Sequence, residues 1–215
     1  MSAPTGQARS QHWDEVYQNK GASQVSWFQQ NPTVSLALLD RAGVDTTAPI
    51  VDVGGGASVL AGRLLERGYG DVSVLDVSAD ALRLARQRLG ESAGDVHFEH
   101  VDLLDWSPQR RYTVWHDRAV FHFLTEPGQR ARYREVVAAA LAPGGFLIVG
   151  TFAADGPERC SGLPVARYAP DELAGQLGTG FTVVATRREH HHTPAGVDQP
   201  FTWLLARRID HADQP

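Results

Sequence analysis

At 215 residues the chain is sized for one domain, long enough to bury its own core, and its formal net charge of −5 argues against a broad nucleic-acid groove. Its one cysteine excludes an internal disulfide and fits a reducing, cytoplasmic setting. No apolar run approaches the roughly 18 residues of a membrane-spanning helix, and the polar residues 1–10 lack the apolar core of a secretory signal.

Residues 1–10 are expected to form a disordered tail. From His12 a helical pattern begins, with Trp13, Val16 and Tyr17 on one face. Val25-Ser26-Trp27-Phe28 follows, so residues 11–30 make an aromatic cap that holds two of the five tryptophans. These rings either pin the leader to the domain or form a flap over a ligand, and the two roles are compatible. The main domain is expected over residues 31–210. It opens on Asn31-Pro32, read as an N-cap with proline at the first helical position. Leu36, Leu39 and Ala42 then supply the apolar stripe, and Gly43 stops the helix.

Ile50-Val51-Asp52-Val53 is a buried-strand pattern, Gly54-Gly55-Gly56 follows, and a helical run covers residues 57–67. Such a strand, turn and helix start form a ligand clamp. Glycine permits φ > 0 and close approach, and the free amides of a helix start favour electron-rich groups. A dinucleotide fingerprint wants a third glycine where Val59 stands. The loop therefore points to a nucleoside-like cofactor without naming it, with a ligand-free glycine turn as the alternative.

Val72–Asp76 reads as the second strand, ending in an acid placed to bind both hydroxyls of a ribose. Ser78 already caps the helix Ala79–Leu89, which leaves Asp76 for a ligand. Residues 96–101 alternate as the third strand. At its carboxyl end Asp102 can accept from an exocyclic amine such as adenine N6, and the Leu103 amide can donate to a ring nitrogen. Residues 112–117 form the fourth strand, 128–141 a helix, Pro143-Gly144-Gly145 a turn and 146–151 the fifth strand. These strand ends converge on one crevice. The loop over residues 155–168 opens where that crevice widens and is expected to shape an acceptor pocket, with Cys160 a packed thiol. His190-His191-His192 alternate faces in a strand, so at most two can share an ion, and no metal is expected.

The ordered set Asp52-Val53-Gly54-x-Gly56-x-Ser58, Asp76, Asp102-Leu103, the Asp117 strand end and Leu141-Ala142-Pro143-Gly144-Gly145 resembles the class I S-adenosylmethionine-dependent methyltransferases. The resemblance runs from about residue 12 to 151 and continues to 208. It implies an α/β, Rossmann-like fold: a seven-stranded, mostly parallel sheet with helices on both faces and the last strand antiparallel. Phe181-Thr182-Val183-Val184 and Phe201-Thr202-Trp203-Leu204-Leu205 would supply the closing hairpin. It also implies S-adenosylmethionine as cofactor, released as S-adenosylhomocysteine. Gly54 and Gly56 would then border the methionine moiety, Asp76 hold the ribose diol, and Asp102 and Leu103 read the adenine. Trp13, Trp27, Asp52, Ser58, Val77, Asp117 and Arg118 complete the implied cofactor-binding set.

Trp115-x-Asp117-Arg118 is similar to the thiopurine-type small-molecule branch, although His116 interrupts it, and Trp13-Asp14-x-x-Tyr17 is similar to a protein lysine branch. A small-molecule acceptor is the expectation, with protein lysine, a non-catalytic cofactor-binding protein and an NAD-linked oxidoreductase as alternatives. Val59 and the Pro143-Gly144-Gly145 turn count against the last. Methyl displacement from a sulfonium is mostly alignment. His122, just past the fourth strand, is the candidate general base, and a structural histidine is its alternative reading.

Overall fold

The computed structural model describes residues 6–209. Its centre is a seven-stranded sheet in the order β3-β2-β1-β4-β5-β9-β8. The strands are β1 (Ile50–Val53), β2 (Val72–Asp76), β3 (Val96–His100), β4 (Tyr112–Arg118), β5 (Leu141–Phe152), β8 (Phe181–His192) and β9 (Asp198–Arg208). A small separate hairpin pairs β6 (Arg159–Cys160) with β7 (Leu163–Pro164). The first five sheet strands are mutually parallel, and β9 alone runs against its neighbours β5 and β8. The doubly wound sheet with an antiparallel last strand is the one the sequence implied.

Alternation along the strands divides the core into two layers. Val51, Val53, Trp115, Leu147 and Val149 point to one face, where they meet Tyr133, Val136 and Val137 of helix α5 (Pro127–Ala140) and Leu173 and Leu177 of α6 (Pro170–Leu177). Ile50, Val74, Val114 and Ile148 point to the other face. There they meet Leu36 and Leu39 of α2 (Thr33–Ala42), Leu60 and Leu64 of α3 (Leu60–Glu66) and Leu82 of α4 (Ala79–Leu89). Strands covered on both faces read as near-continuous apolar runs, and all four residues of β1 are buried.

Several local expectations differ from what is observed. Helix α1 spans Gly6–Lys20, so residues 6–10, expected to be irregular, are helical; residues 1–5 lie outside the described residues. Asn31 makes no side-chain cap. The N-cap of α2 is Pro32, also without a side-chain bond, while Gly43 ends the helix in the left-handed conformation as expected. Helix α3 begins at Leu60 rather than 57, because the glycine turn continues through Ser58, whose Oγ accepts from the Leu60 amide. Pro143-Gly144-Gly145 lies inside β5 as an irregularity: Leu141 pairs with Tyr112, the register shifts, and pairing resumes at Phe146 opposite Val114. Gly144 takes φ +72° there, and a Cβ on Gly145 would come within 2.9 Å of the Ala142 and Thr113 carbonyl oxygens. Glycine at a bulge is the expected chemistry.

Candidate active site

The carboxyl ends of β1, β2, β3 and β4 open on one cleft, roofed by α1 and the segment that follows it. Trp13, Trp27, Gly54, Asp76, Val77, Asp102, Leu103 and Arg118 line it, as do Arg9, Tyr17, Ala119, Val120, Phe123, Leu124 and Cys160. A smaller adjoining pocket takes Asp52, Ser58, Gly55, Ser35 and His116, and shares Tyr17, Trp27, Gly54 and Arg118 with the cleft. Of the residues singled out from sequence, Gly56, Asp117 and His122 line neither space.

The glycine loop threads between two carboxylates. A Cβ on Gly55 would sit 2.5 Å from Asp52 Oδ2, one on Gly56 2.5 Å from Asp76 Oδ2, and one on Gly54 would run into Val120 Cγ2. Gly54 and Gly56 also take φ +64° and +33°. Steric room and backbone conformation thus demand glycine at the same positions.

Asp76 is buried and its Oδ1 accepts from the Ser78 amide at 2.8 Å. Burial pushes its carboxyl up to about 7; the Ser78 and Val77 amides oppose this, while the charges of Asp52 and Asp14 add to it. Ser78 Oγ caps α4 by accepting from Ala81 N, and it donates to Asp14 Oδ1 at 2.6 Å, tying α1 to the start of α4. At the end of β3, Asp102 Oδ1 accepts from Leu104 N at 2.8 Å, and Oδ2 pairs with Arg9 Nε at 2.5 Å.

Asp117 faces inward. Its Oδ1 accepts from the Val120 and Phe121 amides and its Oδ2 from the Tyr133 hydroxyl at 3.0 Å. Burial raises its carboxyl to about 6 against these bonds. Asp117 therefore shapes the 119–123 segment and lines neither pocket, in contrast to its expected place against the cofactor. That segment carries Ala119 at φ +66°, a conformation unusual for a residue with a Cβ and located on the cleft wall.

On the β4 side of the cleft the cation is Arg118. Its Nη1 donates to the Trp27 carbonyl at 2.7 Å and its Cζ lies 4.7 Å from the centre of the Phe201 ring. Nε and Nη2 are inaccessible to solvent and have no protein partner, as is Asp52 Oδ2. Burial lowers the Arg118 guanidinium to about 10, with Glu189, Cys160 and Asp52 opposing; it stays charged at neutral pH.

Trp13, Trp27 and Phe123 form an aromatic wall, with edge-on contacts of 5.5 Å between the tryptophans and 5.1 Å between Trp13 and Phe123. Tyr17 hydroxyl accepts from Trp27 Nε1 at 3.3 Å, and burial raises its pKa. Burial also raises the Cys160 thiol to about 11, as expected of a packed thiol. His122 is fully buried; Nδ1 accepts from Phe152 N at 3.4 Å, and burial with the Arg118 charge holds the ring near 3. A neutral ring walled off from the cleft is poorly suited to take a proton from an acceptor, which favours its structural reading. Among the described residues no three-ligand metal cluster is found. His190 and His192 both contact the exposed Asp198, whereas His191 bonds the Ser26 carbonyl.

Residues 50–145 match a family model described as a methyltransferase domain. The chain carries the methyltransferase domain of S-adenosylmethionine-dependent enzymes over these residues. No curated protein matches this methyltransferase significantly. Among solved structures, the 1,6-didemethyltoxoflavin-N1-methyltransferase of Burkholderia thailandensis, with 1,6-didemethyltoxoflavin and S-adenosylhomocysteine bound, is 22% identical with a TM-score of 0.69 over 98% of this chain and 92% of its own. The N-methyltransferase NodS of Bradyrhizobium japonicum is 17% identical, TM-score 0.67, over 91% and 97%. The [4+2]-cyclase SpnF is 18% identical, TM-score 0.74, over 98% of each chain. At these identities the structures speak to the fold alone. With the family match, the methyltransferase is an enzyme of methyl transfer (EC 2.1.1) that uses S-adenosylmethionine, and the oxidoreductase reading is set aside.

The sequence missed Arg9, because it lay in a stretch read as disordered. It missed Ala119, Val120 and Phe123, because nothing in composition marks a strained loop. No helix among the described residues is long and apolar enough to cross a membrane.

Proposed function

We propose that this methyltransferase acts on a small, largely apolar acceptor held against the aromatic wall, with the cofactor gripped along the strand ends. Asp76 takes the ribose diol beside Val77, and Asp102 and Leu103 take the adenine. Asp52 and Arg118 take the ammonium and carboxylate of the methionine end beside Gly54. When bound, S-adenosylmethionine supplies an electrophilic methyl on a sulfonium.

One observation carries the reading. Asp52 Oδ2 and Arg118 Nε and Nη2 are buried without partners on the walls of one pocket, next to Gly54. Unpaired buried charges are costly. A zwitterionic α-amino acid offers each the opposite charge, and among the described residues no ion pair joins Asp52 to Arg118.

The acceptor class follows from the asymmetry of the cleft. Its β2–β3 side carries Asp76 and Asp102; its β4 side carries Arg118, Ala119, Val120, Phe123 and Leu124, with Cys160 and the tryptophans. A lysine ammonium would there meet a buried cation and no carboxylate. The toxoflavin-precursor enzyme, solved with its small acceptor bound, supports the same reading by analogy. The chain's contribution to catalysis is alignment and exclusion of water, because no lining residue on the acceptor side takes up a proton near neutrality.

The test is an acceptor screen that follows S-adenosylhomocysteine release, with neutral aromatic and heteroaromatic small molecules in one arm and lysine-containing peptides in the other. Turnover confined to the first arm is expected. Turnover of the peptides alone overturns the acceptor assignment.

A further inference from the structure

His116 is the residue that interrupts the Trp115-x-Asp117-Arg118 pattern, and it is a polar side chain buried in the middle of the sheet. It stands in register opposite Asp52 of β1 and shares the sheet face covered by α2 and α3. His116 Nδ1 lies 2.7 Å from Asp52 Oδ1, and Nε2 lies 2.9 Å from Ser35 Oγ of α2. Asp52, His116 and Ser35 are all buried. With the ring proton on Nδ1, His116 donates to the carboxylate and accepts from the serine hydroxyl, so each partner fixes the tautomer for the other. The ring also packs against Trp203, with centroids 6.0 Å apart.

The consequence falls on Asp52. One carboxylate oxygen is locked, the carboxylate cannot turn about its last torsion, and Oδ2 remains buried without a partner. A network that served only packing would satisfy both oxygens, because leaving one bare in a low-dielectric setting is unfavourable.

We propose that His116, held by Ser35, is a positioning residue that aims Asp52 Oδ2 at the α-ammonium of the bound cofactor. The proposal rests on the reading of the methionine end given above. Ligand-orienting partners of this kind change affinity without touching the ligand.

The test compares two ligands by calorimetry on the full chain. S-adenosylhomocysteine carries the amino-acid end; 5′-methylthioadenosine keeps the adenosine and thioether and lacks it. His116→Leu is expected to weaken S-adenosylhomocysteine by about ten- to a hundred-fold, the range for a hydrogen bond to a charged group, and to leave 5′-methylthioadenosine within about twofold on the same scale. His116→Asn, whose amide places a donor near the former Nδ1, should recover most of the loss. Ser35→Ala should give a smaller loss, again confined to S-adenosylhomocysteine. Equal loss for both ligands, or loss for neither, overturns the proposal. Should His116→Leu fail to fold, Ser35→Ala carries the same contrast by the same criteria. A wild-type protein that binds 5′-methylthioadenosine and S-adenosylhomocysteine equally well contradicts the assignment of the methionine end itself, a failure distinct from that of His116.

Discussion

Arg9 Nε lies 2.5 Å from Asp102 Oδ2 across the mouth of the cleft. A side chain of the roofing helix thus bonds the carboxylate assigned to the adenine amine. The Asp102 side chain is only 9% exposed, so the pair is screened less than a surface ion pair. An adenine amine at Asp102 would compete with Arg9 for Oδ2. Arg9→Ala is therefore expected to tighten S-adenosylhomocysteine several-fold, read by calorimetry. Weaker binding in this variant would make Arg9 a cofactor contact instead.

The rest of the roof is expected to help rather than compete. Trp13, Tyr17 and Trp27 line the cleft, and the Trp27 carbonyl orients Arg118. Amide hydrogen exchange over residues 12–28 should slow when S-adenosylhomocysteine is added. Exchange that is unchanged at saturating ligand would reduce these rings to packing.

Asp76 couples cofactor binding to stability in opposite directions. Its folded pKa of about 7 is raised above the ordinary aspartate value of 3.8. The protonated form therefore contributes stability that is fully present below pH 3.8 and lost as the pH rises through about 7. Above that, the ionised carboxylate is a net cost. Asp76→Asn should raise the melting temperature at pH 8, with the gain shrinking towards acid pH, and should weaken S-adenosylhomocysteine at every pH. A variant that is destabilised at pH 8 contradicts the burial account.

Gly56→Ala tests the loop. The added Cβ would lie 2.5 Å from Asp76 Oδ2 and 3.0 Å from Ala81 Cβ, at φ +33°. It should displace Asp76 and cut cofactor affinity by about ten-fold or more, the loss of one charge-assisted hydrogen bond. Unaltered affinity in a folded protein would show that the loop gives way freely.

His122→Gln should leave the pH dependence of turnover unchanged, because the ring is buried and near 3. Its cost should appear as lower stability, from the Phe152 amide left without its partner. Loss of an ionisation from the rate profile would restore it as a base.

The strands β1 to β5 and the acid that ends β2 were legible because each depends on short-range pattern: an apolar run, a glycine turn and a cap at Ser78 that matches the observed helix, whereas the seven-stranded sheet with its antiparallel strand followed from the family resemblance. What escaped depends on partners far along the chain. Asp117 resembles a cofactor ligand in sequence, yet Tyr133, 16 residues away, takes one of its oxygens. Ser35 and His116 meet across 81 residues, a distance no periodicity reports. The turn read at Pro143-Gly144-Gly145 had the right residues, but pairing of Leu141 with Tyr112 absorbs it into a strand. At the leader, helix α1 carries no marked apolar stripe over residues 6–10 and is held by Asp14 on Ser78 and Arg9 on Asp102, contacts that only the folded domain supplies.

The proposed cofactor site in the strand-end cleft depends on Asp76 holding the ribose. Calorimetric titration of the wild-type chain and Asp76→Ala with S-adenosylhomocysteine is the decisive measurement. One ligand bound per wild-type chain is expected, with affinity about ten- to a hundred-fold weaker in a folded Asp76→Ala. Equal affinity in the two proteins, or no binding by the wild type, would contradict it.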